Sequence, residues 1–206
     1  MKKVNFNKLQ VGDRFNFGRY SQKVRGGVLP ITWRVLSKDS DSLLVISELC
    51  LDIVSFNNIC KNTDWENCSL RSWLNGYFLN TAFQESEKAV IKKSTLLDTN
   101  TEDYVFCLSK QEAENLFSTE IGEVNHCTVG SSDRAAYASA YALKKREKEF
   151  PGIRYSYLLD CSEAWWLRSK ANFGSYATFV HPFCNISQTE VNHKRIFVRP
   201  ALRIAL

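Results

Sequence analysis

Val11, Asp13, Phe15 and Phe17 alternate with polar neighbours along Leu9 to Tyr20. A period of two predicts a half-buried strand, and Gly12 and Gly18 bracket it as turn or bulge positions. Ser21 to Pro30 reads as a loop around Gly26 and Gly27, and Ile31 to Ser37 as a second strand with Trp33 in the core. After a turn at Asp39 to Ser42, the run LLVIS from Leu43 to Ser47 is apolar without alternation. That is the pattern of a central strand covered on both faces.

The period then changes. Leu51 to Glu66 is polar and irregular, but Leu70, Trp73, Leu74 and Tyr77 recur at i, i+3, i+4 and i+7. This predicts a helix from Ser69 to Phe78, with Ser69 as its cap. Glu85 to Lys93 reads as a second short helix and Asp103 to Leu108 as a strand. Ser109-Lys110-Gln111-Glu112 has the form of a capping box, opening a helix to about Phe117. Thr119 to Asp133 reads as a loop, and Arg134 to Lys145 as helical or irregular. Lys144 to Gly152 reads as surface, ended by Pro151 and Gly152.

The last forty-odd residues have two firm ends. Trp165, Trp166 and Leu167 open one strand-like run; Phe197, Val198, Ala201, Leu202, Ile204 and Leu206 form another, where Pro200 argues for an edge or a bulge. Between them lies a mixture of aromatic, small and polar residues with no helical period and no strand pattern. Two rigid bars around such a span look like a scaffold presenting a binding surface. The whole pattern predicts one α+β domain over residues 1–206, mostly antiparallel sheet, with helices grouped in the middle of the chain. Its first strand, near Val11–Phe17, and its last, near Phe197–Ile204, are expected to pair.

Composition supports a packed globule: 44% of the 206 residues are hydrophobic, with 13 Phe, 8 Tyr and 5 Trp. The net charge of +5 is mild. Its densest run, Lys144 to Glu149, is broken by acids and reads as a solvated helix end, so no nucleic-acid partner is expected. No apolar stretch is long enough to span a membrane, and no leader-like run follows Lys2 and Lys3. Seven cysteines, an odd number without a CxxC, fit reduced thiols and a cytoplasmic setting. A phage particle or cell surface is the alternative location if a leader or carrier lies outside this chain.

Motifs for chemistry are sparse. His126, His181 and His193 are scattered; His126-Cys127 and His181-x-x-Cys184 place soft ligands at usable spacings, but a tetrahedral zinc site needs four converging donors. No metal and no cofactor is therefore expected. The chain has no P-loop, dinucleotide fingerprint, GxSxG or HExxH. Arg71, Arg168 and Arg199 are read as structural ties and Trp165 and Trp166 as core.

WWLRS at 165–169 and VRPALRI at 198–204 resemble the C-terminal signature of a bacterial and phage family of uncharacterised domains. WENCSLRSWLN at 65–75 and the VGD…FG.Y spacing at 11–20 resemble earlier parts of that family, so the likeness covers nearly the whole chain. The resemblance implies a C-type-lectin-like fold and similarity to the variable proteins of diversity-generating retroelements, in which a reverse transcriptase rewrites adenines. Ala177, Val180 and Val191 fall where the family keeps fixed small residues. Rewriting an Asn codon at its adenines cannot give Gln, Glu, Lys, Trp or Met, about a fifth of ordinary composition. Asn172 to Ser187 contains none of these, whereas Gln188, Glu190 and Lys194 break the run. The Glu-Pro-Asn and Trp-Asn-Asp motifs of calcium-dependent lectins are absent, so calcium-dependent sugar binding is not supported.

The resulting expectation is a non-enzymatic module that binds a protein or glycan through residues 172–195. In this span Phe173, Tyr176, Phe179 and Phe183 interleave with Asn172, Ser175, Thr178, His181 and Asn185, followed by Ser187, Asn192 and His193. Aromatics among small polar residues supply rigid contact area with adaptable hydrogen bonding; the plainer reading is that they fill core under a loop. Two rivals remain. One is an enzyme similar to sulfatase-modifying oxidases working through Cys161 or Cys184, whose surroundings do not match that cysteine motif. The other is a structural component of a phage or surface assembly, with the span buried between subunits.

Overall fold

The computed structural model describes residues 4–117, 122–124, 127–129, 131–151 and 162–206. It begins with an antiparallel meander of β1 (Arg14–Ser21), β2 (Val28–Lys38) and β3 (Ser42–Ser47). β1 starts later than its pattern suggests, because the chain turns at Gly12 and leaves Val11 exposed. It is bulged between Asn16 and Arg19, where Gly18 has φ +66°. A Cβ at Gly18 would lie 2.5 Å from the Phe83 ring and 2.9 Å from the Ala82 carbonyl, so both the backbone and the close approach require glycine. Trp33 in β2 is buried, its Nε1–H donating to the Phe17 carbonyl at 2.7 Å. β3 is buried at every position.

The chain leaves this sheet through β4 (Asp52–Ile53) and enters the helical segment. α1 (Ser69–Trp73) runs through a π turn (Leu74–Phe78) into α2 (Leu79–Ala82). The cap is Cys68, whose sulfur accepts from Arg71 N–H at 3.4 Å; the Ser69 hydroxyl instead accepts from Asn58 N–H at 2.9 Å. The π turn fits an extra residue into one turn and rotates the apolar stripe. Tyr77, expected inside, is therefore 60% exposed, and Phe78 is buried in its place.

Asp103 anchors the same segment. Its carboxylate accepts from Trp65 Nε1 at 2.9 Å, Arg71 Nε at 2.7 Å and Asn75 Nδ2 at 3.2 Å. The spaced Trp, Arg and Asn of WENCSLRSWLN thus share one buried carboxylate.

α3 (Glu85–Lys88) is shorter than expected. Its continuation contains β-branched Val90 and Ile91, which favour extended backbone, and Ile91–Lys92 becomes β5. β6 (Ser94–Leu96) and β7 (Thr101–Asp103) pair with each other, and β8 (Val105–Phe106) follows. α4 (Lys110–Asn115) opens on a full capping box: Ser109 Oγ accepts from Glu112 N–H at 3.0 Å, and Ser109 N–H donates to Glu112 Oε2 at 2.7 Å. The stretch expected as a loop from Thr119 to Asp133, part of which lies outside the described residues, contains the paired strands β9 (Gly122–Val124) and β10 (Cys127–Val129). α5 (Ala140–Glu149) is capped by Ser139.

The C-terminal segment supplies β11 (Trp165–Lys170), β12 (Tyr176–Val180), β13 (Ile186–Glu190), β14 (Phe197–Val198) and β15 (Ala201–Ala205). Two main sheets result, in the orders β1-β2-β3-β15-β5, with β8 also on β15, and β13-β12-β11-β14-β4. Pairing is antiparallel except between β11 and β14. The architecture is α+β, with one buried apolar cluster spanning both sheets. Among the described residues the α-helices lie between residues 69 and 149, with short strands interleaved, and one 3-10 turn (Phe6–Lys8) precedes β1.

Two expectations fail here. The first and last strands share a sheet but do not pair, since β2 and β3 lie between them. The fully apolar β3 needs a neighbour on each side, and β15 takes the free one. The 172–195 span is also not patternless loop: it contains the β12–β13 hairpin. β12 showed no alternation because residues 177–180 are all buried, so both of its faces are covered.

Pro200 sits at neither an edge nor a bulge but where the chain crosses from one sheet into the other. Ser47 N–H donates to the Pro200 carbonyl and Leu51 N–H to the Val198 carbonyl, both at 2.9 Å, so the ladder continues through the crossing. Arg199 is 1% exposed there. Its Nε donates to the Ser47 carbonyl at 2.9 Å, and its guanidinium lies 5.1 Å from the Trp165 ring centroid. Burial lowers its pKa to about 10, which leaves it charged at neutral pH. Arg199→Ala should lower unfolding free energy by about 2 kcal/mol or more, since a buried carbonyl loses its donor and a cavity opens. Arg199→Lys should recover little of this, because a point ammonium supplies neither fork nor stack. Denaturant titration checks both; a lysine variant as stable as wild type would show that charge alone suffices.

Candidate functional site

β12 and β13 pair in register, with Tyr176 opposite Glu190, Ala177 opposite Thr189 and Phe179 opposite Ser187. On its other side β12 meets β11, with Phe179 opposite Trp166. Pleating then sends Ala177 and Phe179 to one face and Tyr176, Thr178 and Val180 to the other. The expected binding residues therefore do not share one surface. They fall into two groups at opposite ends of β12, about 14 Å apart at the usual strand rise.

Thr178 and Phe179, expected on the displayed surface, are buried. Thr178 Oγ1 donates to the Ser169 carbonyl at 2.8 Å. Phe179 is 8% exposed and packs edge-on against Trp166, with centroids 6.3 Å apart. The cause is the central position of β12 between two strands. Ser187, on β13, is half-buried.

The first group is the β11–β12 turn. Asn172 and Phe173 are exposed, Phe173 at 66%, while Ser175 and Tyr176 are half-buried. Phe173 and Tyr176 meet edge to face at 5.7 Å. The turn is fixed from three directions: Asn172 N–H donates to Gln188 Oε1 at 3.1 Å, Val191 N–H to the Ser175 carbonyl at 2.9 Å, and Thr63 N–H to the Gly174 carbonyl at 2.9 Å. A Cβ at Gly174 would meet only the amide tip of the exposed Asn62 side chain, which packs against the glycine here. Beside the turn lies a cleft of about 380 Å³, lined by Asp64, Glu66, Leu97, Asp98, Arg168 and Lys170 among others. Arg168 is spoken for, donating to Asp98 Oδ1 at 2.8 Å, Glu112 Oε2 at 2.6 Å and the Cys107 carbonyl at 2.9 Å.

The second group is the β12–β13 turn. His181, Phe183 and Asn185 are half-buried, with the His181 and Phe183 rings 5.2 Å apart. His181 Nδ1 accepts from Phe183 N–H at 3.2 Å. Cys184 adopts φ +63° and points inward, its sulfur 3.6 Å from Ser162 Oγ. In the loop after β13, Asn192 and His193 are half-buried; the Asn192 carbonyl accepts from Ser55 Oγ at 3.3 Å, and His193 Nδ1 from Arg195 N–H at 3.2 Å.

Cysteine chemistry finds no exposed, activated thiol in these groups. Burial pushes the Cys50 and Cys68 thiols up to about 12 and raises that of Cys107 as well. Such thiols are poor nucleophiles at neutral pH. Cys161 and His126 lie outside the described residues. Among the described residues, no three His, Cys, Asp or Glu side chains are grouped to hold a metal ion, and no helix is long and apolar enough to cross a membrane.

Sequence reasoning missed the Asn62–Gly174 contact, the cleft at Arg168, and a half-buried tryptophan, Trp73. Trp73 was assigned to a helix face, and the π turn that reorients this face leaves no mark in a 3.6-residue period.

By class this is an α+β protein of two linked, mostly antiparallel sheets. The family model described as a domain of unknown function, DUF6273, matches residues 40–206, and the chain belongs to that family. The match leaves β1 and β2 outside it. Neither the curated proteins nor the solved structures compared with this chain give a match.

Burial lowers the pKa of both His181 and His193 from the ordinary 6.5, and for His193 the neighbouring Arg195 adds to the effect. Both rings therefore resist protonation more in the folded protein than in the unfolded chain. Below pH about 6.5 the unfolded chain takes up protons that the folded protein refuses, so stability should fall. A His181→Gln/His193→Gln variant should lose less stability than wild type over that interval. Melts in a pH series check this; identical slopes would remove these histidines from the acid response.

Proposed function

We propose that the chain is a non-enzymatic ligand-binding module on a C-type-lectin-like scaffold, with the β11–β12 turn as its contact surface. The observation that carries this reading is Phe173: a large aromatic 66% exposed on a turn that is hydrogen-bonded from three directions. A rigid aromatic anchor loses little conformational entropy on binding. Asn172 and Ser175 beside it add adaptable polar contacts. Leu97, 89% exposed, lines the neighbouring cleft. Aromatic side chains are enriched at protein interfaces, which favours a protein ligand over a glycan at this turn.

Relation to retroelement variable proteins belongs to the same proposal. Supporting it, Ala177, Val180 and Val191 are buried while Asn172 and Phe173 face solvent. Rewriting on such a scaffold is confined to the turns, since Thr178 and Phe179 are in the core. The corresponding genomic observation is a near-copy of the 3′ end, differing at adenines, beside a reverse transcriptase gene. Its absence would remove the diversification part of the proposal.

The contact surface has its own test. Phe173→Ala should change stability by no more than about 0.5 kcal/mol, whereas Phe179→Ala should cost roughly 3–5 kcal/mol. On an array of bacterial surface proteins, Phe173→Ala should lose the binding that wild type shows. Wild-type binding retained by a folded Phe173→Ala protein would refute this surface.

A further inference from the structure

The five tryptophans divide four to one. Trp33, Trp65, Trp165 and Trp166 are buried, and each indole N–H donates to a protein acceptor at 2.7 to 3.2 Å: the Phe17 carbonyl, Asp103, the Arg134 carbonyl and the Val54 carbonyl. Trp73 is half-buried, and among the described residues its N–H meets no acceptor. A buried indole usually has one; the Trp73 N–H instead is open to solvent. Its ring is held by Tyr77 at 6.0 Å and Phe78 at 5.5 Å, both at shallow interplanar angles.

Trp73 lines a cleft of about 540 Å³ formed by stretches far apart in the chain: Ile53 to Ser55, Asn58, the end of α5, and Lys194. That size is within the range of small-ligand sites. Lys145 on its wall is fixed in place, because Nζ bonds Asp52 Oδ1 at 2.8 Å and Tyr20 O–H holds Asp52 Oδ2 at 2.6 Å. Asn58, Glu149 and Lys194 also line the cleft, and their side chains make no hydrogen bond or ion pair among the described residues. A fixed wall thus faces three uncommitted polar groups and an uncommitted indole.

We propose that this cleft binds a neutral pyranose unit of a saccharide, the aliphatic face of the sugar lying on the Trp73 ring. Charge selects the neutral class. The Lys145 ammonium is already met by the buried Asp52 carboxylate, and Lys194 and Glu149 carry opposite signs. Hydrogen bonding selects the saccharide. A hydroxyl both donates and accepts, and the cleft offers donors at Trp73 Nε1, Lys194 and the Asn58 amide, with acceptors at Glu149 and the Asn58 carbonyl. The site shares no lining residue with the Phe173 turn and does not depend on the reading given to that turn.

The test is an array of neutral and acidic glycans probed with the whole chain, followed by calorimetric titration of the strongest neutral glycan. Wild type should prefer neutral glycans. Trp73→Ala should weaken binding about tenfold or more, equivalent to about 1.4 kcal/mol. Trp73→Phe, which keeps a flat face but no N–H, should fall between. Glu149→Ala and Asn58→Ala, at less packed positions, should also weaken binding, which decides the matter if Trp73→Ala does not fold. Phe173→Ala should bind these glycans like wild type. The proposal is overturned if wild type binds no neutral glycan, if it prefers acidic ones, or if Glu149→Ala, Asn58→Ala and Trp73→Phe all bind like wild type.

Discussion

The Arg199 guanidinium is a full charge held out of water with no carboxylate paired to it among the described residues. Burying a cation this way costs several kcal/mol unless local groups replace its hydration. Here the replacement is the Ser47 carbonyl, a longer contact to the Arg134 carbonyl at 3.4 Å, and the π face of Trp165. Ser47 ends β3 of the first sheet, Trp165 begins β11 of the second, and Arg134 precedes α5. The charge is tolerable only when all three are in place. That makes Arg199 a condition on the relative position of the two sheets rather than a simple source of stability. A hydrophobic residue could fill the volume, but it would not specify which carbonyl lies where.

The motifs singled out in the sequence acquire structural meaning at this joint and around it. WWLRS supplies Trp165 for the Arg199 stack and Trp166 for the core. Arg168 ties Asp98, Glu112 and the Cys107 carbonyl together. VRPAL supplies the crossing itself, and WENCSLRSWLN supplies the three groups that meet on Asp103. These are geometric requirements of the scaffold. Motifs of this kind say nothing of a ligand, which must be read from residues outside them.

Legibility followed the range of the forces involved. β3, the capping box at Ser109 and the core position of Trp33 were readable because each depends on neighbours within a few residues or on hydrophobicity alone. The pairing of β15 with β3 was not, since any of several apolar strands satisfies the same local pattern. β12 was misread for a related reason: a strand covered on both faces has no alternation, and a short one resembles a loop. The π turn displaced Tyr77 by one position, a shift set by packing on Asp103 and the first sheet rather than by helix propensity. For the candidate site, composition and the family resemblance together led to an expectation of exposure at Asn172 and Phe173, and both are exposed. The burial of Thr178 and Phe179 and the cleft at Trp73 needed tertiary contacts that lie far apart in sequence.

Fixing β12 from both sides has a consequence for where recognition can occur. A strand between two partners has its backbone groups paired and, here, its side chains covered on both faces, so it cannot itself contact a ligand. What it can do is hold its two ends in constant relation, and the accessible aromatic side chains of the span lie at those ends. The turn at Phe173 is further clamped to residues 62–63, a segment that runs directly into the Asp103 anchor through Trp65. A side chain presented there is thus referenced to both sheets and to the helical layer. The clamp is made through backbone carbonyls, those of Gly174 and Ser175, and so does not depend on which side chains the turn carries. That division, between a turn whose side chains meet solvent and a strand whose side chains are buried, is what the proposed binding module requires.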